Sequence, residues 1–208
     1  MTLNQDSAVL SAFATSISNE ELALLPAAEF RGEIVVVEDA ASVAEACDYL
    51  SRRRILGFDT ETRPSFTPRH VNKMSLLQLS TDERCYLIRF NRLGGVPDRV
   101  AALLENPEIM KIGVAVAGDI FGLNKLRRMK PKGFFELQEE VKKFGIENFS
   151  LRKMSGIILG ERVSKAQRLS NWEAAVLTDK QMIYAATDAW VCLKIYDALK
   201  AAANTDSM

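Results

Sequence analysis

The chain has 208 residues, of which 48% are hydrophobic and 26% are charged, and its formal net charge is zero. This composition is typical of a soluble chain with one core. The chain contains no apolar run of transmembrane length, no basic region at its start and no paired or zinc-type cysteine spacing, which argues against a membrane, secreted or zinc-binding protein. We therefore expect a cytoplasmic protein with reduced cysteines.

Apolar runs and turn signals predict an α/β fold. In chain order they predict an N-terminal extension over residues 1–30 that is helical or partly ordered, a strand at 34–37, a helix at 40–53, strands at 54–61, 73–80 and 84–90, a helix at 97–105, a strand at 110–117 and mostly helices beyond. Strands first and a strand–helix alternation later predict a mixed central sheet flanked by helices.

Two carboxylates stand one residue apart at the end of the strand predicted over 54–61. Alternate residues of a strand point to the same face, so Asp59 and Glu61 should project together from the rim of the sheet. Adjacent carboxylates repel each other unless protons or cations compensate their charge, and oxygen ligands favour Mg²⁺ or Mn²⁺. Such a pair is also common as a plain charged strand end.

A third carboxylate, Asp119, follows the apolar run at 110–117, where the sequence predicts a strand-to-helix junction with Asp119 at the helix start. It is either a metal ligand or a simple helix N-cap. Gly113 and Gly118 have the spacing of a phosphate-binding loop, but the Lys-Ser/Thr that would follow is absent, which excludes a nucleotide-binding loop.

The last predicted helix carries a fourth carboxylate on its apolar face. Thr178 and Gln181 form a predicted capping box, which opens a helix that runs to about residue 203. At 100° per residue, Asp188 falls in a mostly apolar stripe, one turn after Tyr184. A carboxylate there needs either a hydrogen-bond donor or a metal ion.

In order and spacing, these residues resemble the DEDDy-type 3′-5′ exonuclease family, which includes RNase D and the Werner-type exonuclease domains. The resemblance rests on Asp59-x-Glu61, Asp119 and the string Tyr184-Ala-Ala-Thr-Asp188. It is supported by the segments at 74–79 and 169–172, and it covers roughly residues 35–200. The sister branch of the family has histidine at the position of Ile183, so Tyr184 indicates the tyrosine branch. The only histidine, His70, lies far away in the loop after the first motif.

The resemblance implies an RNase H-like fold and a two-metal mechanism. It implies that Asp59 bridges two Mg²⁺ or Mn²⁺ ions, that Glu61 and Asp188 complete the site of the attacking water, and that Asp119 holds the second ion. Tyr184 would orient the water. We assign residues 31–204 to the exonuclease domain and residues 205–208 to a C-terminal tail.

Further residues are candidates for substrate binding. Thr62 follows the first motif where relatives of the family contact the terminal nucleotide, and Phe121 could either stack on a base or pack in the core. The segment before the last helix could cover the substrate strand with Lys165, Arg168, Asn171 and Trp172, although Trp172 is better explained as a packing anchor.

Basic residues concentrate in the second half of the chain, where residues 125–168 contain twelve Lys or Arg and five Asp or Glu. A basic surface there could follow a phosphate backbone without reading its sequence, although at least half of these side chains should only solvate helix faces. The residues concerned are Lys125, Arg127, Arg128, Lys130, Lys132, Lys142, Lys143, Arg152, Lys153, Lys165 and Arg168.

We expect a metal-dependent 3′-5′ exonuclease that releases nucleoside 5′-monophosphates from single-stranded or 3′-ended DNA. The helical domain that usually follows an RNase D catalytic domain is missing after the last helix, which favours DNA over the alternative of RNA trimming. A catalytically silent nucleic-acid-binding module of the same fold is a further alternative. The expected partners are nucleic acid and, as an open option, a separate helicase, but no membrane.

Overall fold

The computed structural model describes residues 12–65, 67 and 72–205. His70, residues 1–11 and residues 206–208 lie outside the described residues. The strands are β1 (Glu33–Val37), β2 (Ile55–Thr62), β3 (Met74–Ser80), β4 (Arg84–Arg89), β5 (Met110–Gly113) and β6 (Phe134–Glu136). The α-helices are α1 (Asn19–Leu24), α2 (Ala40–Leu50), α3 (Phe90–Leu93), α4 (Asp98–Glu105), α5 (Val116–Leu126), α6 (Leu137–Val141), α7 (Leu151–Leu159) and α8 (Asp179–Thr205), and a 3₁₀ turn covers Lys142–Phe144.

The six strands form one mixed sheet in the order β1-β4-β3-β2-β5-β6. β3 runs antiparallel to both β2 and β4, whereas the other neighbouring strands are parallel. The two antiparallel pairings come from the consecutive strands at 54–89, and the parallel ones come from the strand–helix alternation around them. The predicted mixed sheet is confirmed.

Two predicted boundaries differ from the structure by three residues or more, and one strand was not predicted. The strand predicted over 110–117 ends at Gly113, and α5 begins at Val116 after a turn at Ala115. The apolar run continues through that turn, so hydrophobicity alone does not reveal it. The helix predicted over 40–53 ends at Leu50, before the exposed Arg52 and Arg53. The three-residue strand β6 lies within the region predicted as mostly helical.

Helix α8 packs along the sheet and buries most of its length. Its capping box is confirmed, because Thr178 Oγ1 accepts from the Gln181 N–H at 3.3 Å and Gln181 Oε1 accepts from the Thr178 N–H at 3.0 Å. Val191, Ile195 and Leu199 pack with residues of β5, α6 and α7 in one core cluster. The three cysteines are free and buried, as predicted.

The described part of the N-terminal extension runs along α7 and α8. Arg162 pairs with this segment through two backbone hydrogen bonds, from its own N–H to the Pro26 carbonyl at 2.8 Å and from the Ala28 N–H to its carbonyl at 3.0 Å. Two residues on, the Phe30 N–H donates to Thr187 Oγ1 at 3.0 Å in a buried position. Among the described residues, no helix combines the length and apolar character needed to cross a membrane.

Candidate active site

Three carboxylates converge where the C-terminal end of β2 faces α8. Asp59 and Glu61 alternate with Thr60 along β2 and therefore project from the same face. Asp188 comes from α8 and is 6% exposed. One oxygen atom from each of these three side chains lies within 4.8 Å of the other two. The structure therefore brings together three of the four predicted metal ligands.

Gly57 allows α8 to lie directly against β2. A Cβ atom at position 57 would lie 2.0 Å from the carbonyl oxygen of Ala189, far inside van der Waals contact. Because Ala189 directly follows Asp188, this close approach also keeps the Asp188 carboxylate near Asp59. The lack of a side chain at Gly57 therefore helps to bring the three carboxylates together.

The fourth predicted ligand, Asp119, lies in the first turn of α5 and points at β2. Its Oδ1 accepts a hydrogen bond of 2.5 Å from the Thr60 hydroxyl, between Asp59 and Glu61 in sequence. The N-cap of α5 is Ala115, so the interpretation of Asp119 as an N-cap is wrong. The Asp119 side chain therefore does not cap α5 and can act together with the other three carboxylates.

Burial and mutual repulsion raise the pKa values of these acids. Burial, followed by the charges of Asp59, Asp188 and Asp119, raises the pKa of Glu61 to about 9. Burial and the charge of Asp119 raise the pKa of Asp59 to about 7, and burial raises that of Asp119 to about 6. Burial and the charge of Asp59 also raise the pKa of Asp188. Ionising all four acids together is therefore unfavourable unless a cation compensates their charge.

The donor set fits divalent cations. Carboxylate oxygens are the ligands that Mg²⁺ and Mn²⁺ prefer. Within the described part of the chain, the buried Asp188 Oδ1 has no hydrogen-bond partner, although buried carboxylates rarely remain unpaired. A cation would satisfy this atom and offset the repulsion that raises the four pKa values.

Tyr184 stands one helical turn before Asp188, and its side chain is half-buried. Burial, followed by the charges of Asp188, Glu61 and Asp59, raises the pKa of the Tyr184 hydroxyl further above its ordinary value. The phenol therefore stays protonated at neutral pH. Its ring packs against Trp172, with 6.0 Å between ring centroids.

An open cavity of about 390 Å³ adjoins Tyr184 and Asp188. One wall consists of two turns of α8, and Val163 to Gln167 and Ala27 to Glu29 supply the others. The lining is mostly apolar with a few polar groups, which is typical of pockets that bind small organic groups. Of the four candidate metal ligands, Asp188 lines this cavity, so the cavity meets the carboxylates on the α8 side.

A sequence model of a protein family described as 3′-5′ exonuclease matches residues 34–203. The chain belongs to the 3′-5′ exonuclease family. Over 184 residues it is 34% identical to the mouse bifunctional 3′-5′ exonuclease/ATP-dependent helicase WRN. The alignment covers 84% of this chain but only 13% of the mouse protein. The DEDDy-type resemblance is confirmed.

Solved structures of exonucleases share the fold. The EXO domain of Aedes aegypti Nibbler superposes with a TM-score of 0.76 at 23% identity, covering 86% of this chain and 94% of that one. Escherichia coli RNase D, an exoribonuclease involved in structured RNA processing, superposes with a TM-score of 0.71 at 22% identity, covering 84% and 46%. The predicted RNase H-like fold is confirmed.

The substrate-binding residues expected for an exonuclease fall in different environments. Thr62 is exposed beside a register shift at the end of β2. Phe121 is 64% exposed, which excludes the core position considered for it, and Lys125 Nζ lies 4.2 Å from its ring centroid. Trp172 is fully buried, so it packs under Tyr184 and has no surface for a substrate. Lys165, Arg168 and Asn171, on the segment before α8, are exposed.

Part of the predicted basic surface is neutralised by local partners. Arg127 pairs with Asp98 at 2.6 Å, and Lys142 and Lys143 pair with glutamates one turn away on α6. Lys153 donates to the carbonyl of Ile17. Arg128, Lys130, Lys132, Lys165 and Arg168 are exposed. These contacts give local partners to four of the eleven residues named for this surface, and the expectation that at least half serve only their own surroundings stays a prediction.

Sequence reasoning missed two polar residues near the carboxylates, Thr60 and Glu136, and assigned no role to a third, Gln78 in the supporting segment at 74–79. Thr60 holds Asp119 by its hydroxyl, and Glu136 accepts backbone hydrogen bonds at the start of α5. Gln78 faces Asp59 across the β2–β3 pair and is fully buried, and within the described residues its amide has no partner. The only available signal was for Gln78, a polar residue inside an apolar strand.

Proposed function

We propose that this chain is a metal-dependent 3′-5′ exonuclease that hydrolyses the terminal phosphodiester bond of a nucleic acid and releases nucleoside 5′-monophosphates. The observation that carries the proposal is the cluster of Asp59, Glu61 and Asp188, each of which places one oxygen atom within 4.8 Å of the other two. An open cavity adjoins this cluster on the side of Asp188. A phosphate bound there would leave its nucleoside at the cavity wall formed by α8.

The carboxylates would hold two divalent cations, Mg²⁺ or Mn²⁺. Asp59, Glu61 and Asp188 would hold one, and Asp119 together with Asp59 would hold the other. When bound, the cations supply an activated water and stabilise the negative charge that develops on the leaving 3′ oxygen. The four side chains supply the compensating negative charge and fix the position of the scissile phosphate.

Tyr184 would orient the attacking water. Because its pKa is raised, the phenol keeps its proton and can donate one hydrogen bond while its oxygen accepts another. Trp172 supports the ring from below, so the hydroxyl has a defined position next to Asp188. Helix α8 would thus supply both Tyr184, which orients the attacking water, and Asp188, one of the four metal ligands.

We further propose DNA as the preferred substrate, with RNA as the second candidate. The sequence resembles a family that includes Werner-type exonuclease domains, and the 34% identity to the exonuclease/helicase from mouse supports that side of the resemblance. The RNA alternative is supported by the fold shared with an exoribonuclease. A separate helicase partner remains a prediction, motivated by the combination of both activities in the mouse protein.

The first test is an Asp188→Asn variant assayed on 3′-ended oligonucleotides with Mn²⁺. Loss of the ligand should reduce the rate by at least about 10³-fold, since electrostatic stabilisation of this kind contributes several kcal/mol. Asp197→Asn is the matched control, because Asp197 lies on the same helix and faces Lys194 at the surface. A wild-type chain that leaves all oligonucleotides intact with either metal would sink the proposal and favour a silent binding module.

The second test compares DNA and RNA oligonucleotides of one sequence, each single-stranded, blunt and 3′-recessed. A higher kcat/KM on DNA, with the same metal, supports the DNA assignment. A preference for RNA would replace it with the trimming activity.

A further inference from the structure

Glu136 caps two helices with one carboxylate. It ends β6 and is half-buried. Its Oε1 accepts from the Ala115 N–H at 3.0 Å and its Oε2 accepts from the Val116 N–H at 2.8 Å. The same Oε1 accepts from the Gln138 N–H at the start of α6, also at 3.0 Å. The Glu136 side chain therefore caps the N-terminal ends of both helices.

The turn that Glu136 holds is strained. Ala115 adopts φ 57° and ψ 35°, the left-handed region, and is the only non-glycine residue with positive φ in the described part of the chain. That conformation costs an L-residue about 1–2 kcal/mol. Ala115 also lacks a side chain that could cap α5. The Glu136 carboxylate satisfies the free N–H groups and complements the helix dipole.

This turn determines where Asp119 lies. β5 ends at Gly113, and the chain reverses at Ala115 into α5, whose first turn carries Asp119. From there the Asp119 carboxylate reaches the Thr60 hydroxyl on β2. A shift of the turn would move Asp119 relative to Asp59, because the turn sets the position of the first residues of α5 and these carry the Asp119 side chain.

We infer that Glu136 is a positioning residue: by holding the Ala115–Val116 turn it places Asp119 for cation binding. The inference rests on the proposed function only in taking Asp119 as a metal ligand. Glu136 itself touches neither metal nor substrate in this role. Groups that orient metal ligands typically change metal affinity by about 10–100-fold when they are replaced.

The test is Glu136→Gln, which keeps one acceptor oxygen and turns an amide N–H₂ towards a backbone N–H. We expect the Mn²⁺ affinity measured by titration calorimetry to fall by about 10–100-fold, and the Mn²⁺ concentration for half-maximal nuclease rate to rise in parallel. Glu139→Gln is the matched control, since Glu139 is exposed on α6 and pairs only with Lys142. It should keep the wild-type affinity.

Two outcomes would overturn the inference. One is a Glu136→Gln protein that melts at a lower temperature but binds Mn²⁺ like the wild type, which would make Glu136 a helix cap only. The other is equal loss in the Glu139→Gln control. If Glu136→Gln fails to fold, the same titration is made with Glu136→Asp. This variant keeps the carboxylate on a shorter side chain, so we expect a smaller loss of Mn²⁺ affinity. Calorimetry separates this test from the proposed function, because a chain that binds Mn²⁺ without cleaving nucleic acid still reports on Glu136.

Discussion

The hydroxyl group of Thr187 joins the N-terminal segment to α8, next to the carboxylates. Thr187 is the neighbour of Asp188 and is 4% exposed. Its Oγ1 accepts from the Phe30 N–H at 3.0 Å and donates to the Ile183 carbonyl at 2.6 Å. The N-terminal segment is therefore attached to the helix that carries two of the predicted catalytic residues.

Replacing Thr187 with Val should destabilise the protein. The substitution keeps the shape but leaves the buried N–H of Phe30 without an acceptor, which costs about 1–3 kcal/mol. Urea unfolding followed by circular dichroism would measure the change. Thr187→Ser is the control, because it keeps the hydroxyl. Equal stability of the Val and Ser variants would contradict the importance of this hydrogen bond.

At the level of elements, the contact between β2 and α8 decides the geometry of the site. The two elements meet where Gly57 faces the Ala189 backbone, and that contact lies between Asp59 on the strand and Asp188 on the helix. A strand and a helix this close leave no space for a methyl group. The sheet and helix therefore determine the carboxylate spacing together.

Gly57→Ala should consequently disturb both stability and metal binding. The added Cβ would lie 2.0 Å from a backbone oxygen, so α8 must move, and overpacking of this kind costs about 1–3 kcal/mol or more. We expect a lower melting temperature together with weaker Mn²⁺ binding.

Gly118→Ala is the matched control for that substitution. Gly118 lies within α5, and a Cβ atom there would meet no atom within 4 Å. Replacing a helical glycine with alanine should stabilise the protein by about 0.5–1 kcal/mol. If Gly57→Ala melted at the wild-type temperature, the close approach would not be essential.

For the whole molecule, the negative site is an electrostatic cost to folding in the absence of metal. The pKa values of Glu61, Asp59 and Asp119, at about 9, 7 and 6, all lie above those of the unfolded chain. The folded state therefore binds protons more tightly than the unfolded state between about pH 4 and pH 9. Its stabilisation by protons is complete at low pH and is lost as the pH rises through the folded pKa values.

The metal-free protein should accordingly become less stable as the pH rises from 5 to 9. Saturating Mn²⁺ should reduce this dependence of stability on pH, because the metal replaces the protons. Melting temperatures across the pH range, with and without metal, would measure the dependence. Glu61→Gln should flatten the metal-free profile, whereas Glu139→Gln should retain the wild-type slope. A metal-free profile that rises with pH would contradict the assigned directions of the pKa shifts.

The sequence by itself determined the class of the fold and predicted the residues of the site. Asp59 and Glu61 share a strand face, and Tyr184 and Asp188 share a helix face, because these relations depend only on the local repeat of each element. The order of strands and helices similarly predicted the mixed sheet. The resemblance to the family rests on the identity, order and spacing of these residues, which the sequence alone supplies.

Only the tertiary structure decided how these residues meet. The local sequence carries no signal for three features of the site. They are the left-handed turn at Ala115, the hydrogen bond from Thr60 to Asp119 and the caps by Glu136. The sequence favoured Trp172 as a packing anchor, and the tertiary structure added its contact with Tyr184 of α8. Such contacts depend on distances between segments far apart in the chain, and those distances are set when helices pack on the sheet.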